Sequence, residues 1–106
     1  VRLSFCENHP MLYLAKNDGR ISNPVILKCD TEIILYKNTL FSNCNANKTE
    51  AIISDSFDLF RNLRFDIFNK KYFDVNKDSN LKSSYQAEIL IAEHLPIKYI
   101  LNIENV

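Results

Sequence analysis

Tyr85-Gln86-Ala87-Glu88-Ile89-Leu90-Ile91-Ala92 is the stretch that decides how this chain folds. From Ala87 to Ala92 it is apolar except for Glu88, and its β-branched residues favour a strand. Successive side chains of a strand point to opposite faces. Glu88, Leu90 and Ala92 therefore share one side, and Ala87, Ile89 and Ile91 the other. A carboxylate at the mouth of such a strand either caps a neighbouring amide or takes part in chemistry, and on pattern alone the structural use is the commoner one.

The flanking residues add a series of short elements. Ahead of the strand, residues 74–84 are polar and without periodicity, which predicts a loop; loops held by rigid strands often carry binding and catalytic groups. Behind it, Pro96 sits where helices like to begin, at the first helical position, and Leu101-Asn102-Ile103 alternates as a final strand. Further upstream, Phe57, Leu59, Phe60, Leu63, Phe65 and Phe68 predict one or two short helices between Ser54 and Lys71, with Asp55 or Ser56 as N-cap. Leu40-Phe41 reads as a short strand and Ser42 to Lys48 as a polar loop. Asp30 and Thr31 can cap a short helix through Tyr36. Pro24 to Cys29 reads as a strand, and so does Arg2 to Phe5, with Leu3 and Phe5 on one face. Between those two strands, Glu7-Asn8-His9-Pro10 turns, Met11 to Ala15 is apolar, and Lys16 to Arg20 is a loop in which Gly19 supplies positive φ. Short helices and strands without βαβ spacing predict an α+β fold with a mixed or antiparallel sheet.

Composition narrows the function. A chain of 106 residues allows one domain, and 46% hydrophobic with 25% charged residues is ordinary for a globular protein. No apolar run approaches the ~18 residues needed to span a bilayer. The single glycine, Gly19, excludes a P-loop or a Rossmann fingerprint, so any nucleotide must be held by another architecture. Cys6, Cys29 and Cys44 are an odd number without paired spacing, which predicts reduced thiols and a cytoplasmic location. Neither His9 nor His94 has a second ligand at zinc spacing, so no metal is expected. The net charge is zero but uneven. Between Arg61 and Lys82 six basic side chains outnumber three acidic ones, with Phe65, Phe68, Tyr72 and Phe73 among them. Such a run is most often a solvated surface, though aromatics beside basic groups also suit single-stranded nucleic acid.

Three motifs add a resemblance. Ser84-Tyr85-Gln86-Ala87-Glu88-Ile89-Leu90-Ile91, followed by His94-Leu95-Pro96 and Tyr99-Ile100, resembles the closing segment of DarT DNA ADP-ribosyltransferases. There a Gln-Ala-Glu triplet enters a strand. Phe5-Cys6-Glu7-Asn8-His9-Pro10-Met11-Leu12-Tyr13 is similar to the same family's aromatic strand and Pro-Met-Leu-Tyr turn. Phe41-Ser42-Asn43-Cys44-Asn45-Ala46 is similar to its Asp-Gly-Asn-Ala-type loop. The three come in family order and together reach from one end of the chain to the other.

The resemblance implies a sheet of the ADP-ribosyltransferase type and an enzyme that breaks the nicotinamide–ribose bond of NAD. It attaches ADP-ribose to a thymine or guanine in single-stranded DNA, as a toxin countered by a macrodomain antitoxin. Glu88 is then the catalytic carboxylate, accepting from the ribose hydroxyl as positive charge grows on the sugar. Lys82, Tyr85 and Gln86 would meet the DNA, and Met11 and Asn45 match positions facing the DNA or the cleft. DarT enzymes also carry a His-Ile-Thr-like motif and a catalytic Arg upstream of the aromatic strand. Nothing here corresponds to these; the only early arginine, Arg2, lies inside the strand. The basic residue before the triplet is also softened, to Ser83-Ser84-Tyr85. Residues 1–106 thus read as the C-terminal part of one ADP-ribosyltransferase domain, with little turnover expected from it alone. A truncated or catalytically inactive relative that only binds DNA or protein is the competing expectation, and transfer to RNA or protein is a third.

Overall fold

The computed structural model of the chain describes residues 1–105. In these the strands and helices run β1 (Arg2–Ser4), α1 (Pro10–Asn17), β2 (Val25–Cys29), β3 (Leu40–Ser42), β4 (Ile53–Ser54), α2 (Phe57–Arg61), α3 (Tyr72–Val75), α4 (Ser79–Tyr85), β5 (Glu88–Leu90) and β6 (Ile100–Asn105). Short 3-10 turns cover Thr31–Leu35, Phe65–Ile67 and Ile97–Tyr99. One sheet has the order β1-β5-β3-β4 with every neighbour antiparallel, and β2 pairs with β6 in a separate antiparallel ribbon. The fold is α+β with antiparallel sheets, as the sequence predicts.

β5 is the strand that organises the site. It lies between β1 and β3, so Glu88 stands opposite Ser4 on one side and Ser42 on the other. Alternation along these strands separates two faces. Leu3, Phe41, Ile89 and Ile91 turn inward with Ile33 to form one core cluster. Cys6, Leu63, Ile67, Phe68, Val75, Tyr85 and Ala87 form a second. Phe5 and Phe60 pack against both clusters and join them. Phe5 stacks on Phe68 with centroids 4.9 Å apart, and Phe60 lies 5.0 Å from Phe41. Each large side chain so buried contributes roughly 1.5–3 kcal/mol. The opposite face of the sheet carries Arg2, Ser4, Ser42 and Glu88.

Several local expectations are corrected. Residues 74–84 do not form a loop: they hold the end of α3 and nearly all of α4. Asp78 Oδ1 accepts from the amides of Asn80 (2.8 Å) and Leu81 (3.2 Å), two of the donors that a helix start leaves unpaired. The apolar stretch after Pro10 is the helix α1. His9 Nδ1 accepts from Met11 N–H (3.1 Å), and Pro10 occupies the first turn, where no intrahelical donor is lost. Asp18 and Gly19, the latter at φ +79°, end that helix as the predicted loop does. The strand expected over Ala87 to Ala92 is shorter, although Ile91 N–H still donates to Val1 O (2.7 Å). β4 has no counterpart among the predicted elements. Pro96 precedes its 3-10 turn as the cap rather than opening it.

Candidate active site

Glu88 begins β5 and is only 5% exposed. A carboxylate so nearly removed from water needs partners, because burying an unpaired charge is costly. Arg2 supplies the first. On β1 it lies diagonal to Glu88 on the same face of the sheet, within reach of a long side chain. Its Nη2 donates to Oε1 at 2.7 Å and to Oε2 at 2.9 Å, and its Nε donates to Oε2 at 3.1 Å. The fork of the guanidinium thus grips both carboxylate oxygens, a geometry that a lysine could not reproduce.

The loop between β3 and β4 supplies the second partner. Ser42, fully buried and opposite Glu88, donates its hydroxyl to Cys44 O at 2.7 Å. Asn45 Oδ1 accepts from its own loop at Asn47 N–H (3.0 Å) and from Arg2 Nη2 (2.8 Å). Asn43 closes the far side, its amide donating to Ile52 O (3.2 Å) and its Oδ1 accepting from Ile52 N–H (2.9 Å). Held in this way, the loop points Ala46 N–H at Glu88 Oε2, 3.0 Å away. Oε2 therefore accepts from three donor atoms and Oε1 from one. The oxygen with spare acceptor capacity is Oε1.

The family described as ssDNA thymidine ADP-ribosyltransferase, DarT, matches residues 1–104. The chain belongs to the DarT family. Its fold is accordingly that of the ADP-ribosyltransferases, and the chemistry of the family is ADP-ribosyl transfer to single-stranded DNA. No curated protein and no solved structure gave a match.

Within this DarT domain the residues singled out from sequence divide into two groups. Glu88 and Asn45 meet in one constellation. Arg2, which the sequence places as an ordinary strand residue, joins them as the basic partner of Glu88. The signal for Arg2 was absent from local sequence, because the two residues are 86 positions apart and only the strand order brings them together. Tyr85, expected at the DNA, is instead a core residue. It is fully buried, its hydroxyl donates to Lys70 O (2.8 Å), and burial pushes its phenol well above the ordinary value. Gln86 is nearly buried at the end of α4. Lys82 is half-buried, with Nζ 6.0 Å from the Tyr72 ring. Met11 is exposed on the first turn of α1.

His9 also belongs to this neighbourhood. Its imidazole is half-buried and is held below the ordinary histidine value by that burial; the charge of Glu88 pushes it back up and that of Arg2 pushes it down. Because Nδ1 accepts from Met11 N–H, the neutral ring carries its proton on Nε2. A cleft of about 1050 Å³ lies against the core-side face of the sheet, lined by Leu3, Phe5, Ile33, Phe60 and Ile89 together with Arg2 and Lys28; Glu88 is not among its lining residues.

Proposed function

We propose that this domain transfers ADP-ribose from NAD to a base of single-stranded DNA, with Glu88 as the catalytic carboxylate and Arg2 as its charge partner. The observation that carries the reading is the bidentate Arg2–Glu88 pair with Ala46 N–H on the same carboxylate, in a chain of the DarT family. NAD supplies an electrophilic ribose carbon once its nicotinamide leaves. The residues suit such a donor. Glu88 Oε1 can accept from a ribose hydroxyl and stabilise positive charge developing on the sugar, while Oε2 stays tied to the protein. Arg2 Nη1 has no hydrogen-bond partner among the described residues and is free for an anionic group, as a pyrophosphate requires.

The acceptor in this reading is a thymine, with guanine the alternative. An unpaired base costs nothing to unstack from a duplex, which favours single strands. In this reading Asn45, Met11, Lys82 and Gln86 contact the DNA. DNA so marked would poison the cell that makes it, consistent with a toxin reversed by a macrodomain antitoxin.

The test is direct. The protein is incubated with NAD and oligonucleotides that contain thymine or guanine as the only reactive base, and adducts are counted by mass spectrometry. Glu88→Gln is expected to lower labelling by about 10²–10³-fold, the usual cost of losing one charge-stabilising group. Equal labelling by wild type and Glu88→Gln would remove Glu88 from the chemistry. Guanine adducts alone would reassign the base.

A further inference from the structure

Phe73, on α3, is 72% exposed, the most exposed aromatic ring among the described residues. Its position is not the result of a loose helix. The neighbouring Tyr72 turns inward, its ring 6.2 Å from that of fully buried Tyr85, and Val75 is completely buried. α3 is therefore anchored while it holds an apolar ring in water, where a partner can reach it.

The charges around the ring are just as telling. Lys77 Nζ lies 5.1 Å from the Phe73 centroid and Lys82 Nζ 6.0 Å from the Tyr72 centroid. Upstream, Arg61 and Arg64 are neutralised by Asp58 and Asp66. Lys70, Lys71, Lys77 and Lys82, by contrast, form no ion pair among the described residues. Of the carboxylates nearby in sequence, Asp78 is engaged in capping α4, while Asp74, exposed beside Phe73, is the one acidic group next to the ring. An exposed ring set among unneutralised ammonium groups matches a base with its phosphates. It matches an apolar protein surface poorly, since no other large hydrophobic residue of α3 or α4 is exposed. α4 then leads from this platform straight into Gln86 and Glu88.

We infer that Phe73 and Lys77 form an accessory subsite on which a base of the strand flanking the reacting nucleotide stacks, with Lys77 at its phosphate. The inference rests on the single-stranded DNA reading above and extends it beyond the nucleotide at Glu88. It commits the subsite to single-stranded nucleic acid and leaves the sequence of the flank unrestricted, because every base has a π-face.

Fluorescence anisotropy of a labelled single strand, long enough to flank its one thymine on both sides, measures the subsite without any need for turnover. Phe73→Ala is expected to weaken binding at least about fivefold, from the ~1–3 kcal/mol that a stacked base contributes. Phe73→Trp is expected to keep or tighten it. Binding of a labelled trinucleotide centred on thymine should be the same in both variants and wild type. Lys77→Gln is expected to reduce the salt dependence of long-strand binding by about one phosphate contact. The inference is overturned if Phe73→Ala binds the long strand like wild type, if Phe73→Trp is as weak as Phe73→Ala, or if wild type binds no single strand. Labelling that survives Glu88→Gln would sink the catalytic assignment while leaving this binding comparison intact.

Discussion

Ser42 touches none of the reacting groups in the proposed reaction, yet the position of Ala46 N–H depends on it. Its hydroxyl is the donor that holds Cys44 O and so starts the loop toward Glu88. Ser42→Ala leaves a carbonyl without that donor in a buried place, at a cost of about 1–3 kcal/mol. Turnover should fall through kcat more than through KM, because the substrate contacts survive and the carboxylate loses orientation. A variant with a lowered Tm and unchanged kcat would make Ser42 a purely structural residue. His9 is a second position with a measurable consequence. Its value in the folded chain is depressed, so as pH falls the unfolded chain takes up the proton first. The stability due to neutral His9 is thus present above the ordinary histidine range and lost as pH drops toward the folded value. Protonation also removes the acceptor that caps α1. Between about pH 7 and pH 5 the Tm of wild type should fall further than that of His9→Asn, in which the cap is kept and the titration removed. Parallel falls would exclude the histidine. At this scale Glu88 and Asn45 were legible because each lies in a short motif. Arg2 was not, since nothing near it in sequence announces a partner on the far end of the chain.

Elements formed where local chemistry and tertiary packing agreed, and α4 marks the limit of reading either one alone. Its sequence, Ser79 to Tyr85, has too few apolar residues to display a helical period, so a loop was the natural reading. The helix exists because Asp78 pairs two amides at its start and because Leu81 and Tyr85, one turn apart, pack toward the core. Asp78→Ala should therefore cost about 0.5–2 kcal/mol, the usual value of a lost N-cap. For a chain of this size that lowers Tm by roughly 4–8 °C per kcal/mol. It should also loosen the approach to Glu88, since α4 ends next to it. A Tm equal to wild type would mean that packing of Tyr85 holds the helix without its cap. The strands at Arg2, Val25, Leu40 and Ile100 were legible from β-branched and alternating residues. β4, two residues long, carries too little pattern to be seen. α1 was obscured because Pro10 reads equally as a turn residue and as the first residue of a helix.

Across the whole molecule, the sheet order β1-β5-β3-β4 brings the first and nearly the last strand together, and this is what composes the site. Short mixed elements were enough to read the α+β class, because they exclude βαβ units. The order of strands was not readable, since pairing depends on packing between residues far apart in sequence. The same order makes the two core clusters interdependent. β5 contributes Ile89 to one cluster and follows directly from Ala87 and Tyr85 in the other, while Phe5 and Phe60 pack on both. Phe41, 1% exposed and packed against Phe57 and Phe60, lies on the core side of the strand whose next residue is Ser42. Phe41→Ala should cost about 3–5 kcal/mol, a large part of the 5–15 kcal/mol that holds a domain of this size. If the clusters are one cooperative unit, the loss lowers a single transition rather than melting one cluster first. The chain has no tryptophan, so tyrosine signals report the interior: Tyr85 in one cluster, Tyr36 and Tyr99 against the other. Near-ultraviolet and far-ultraviolet circular dichroism of Phe41→Ala should therefore melt at the same, lower temperature. Two separated transitions would show that the clusters fold independently, and that Glu88 stands at a junction between them rather than on one continuous scaffold.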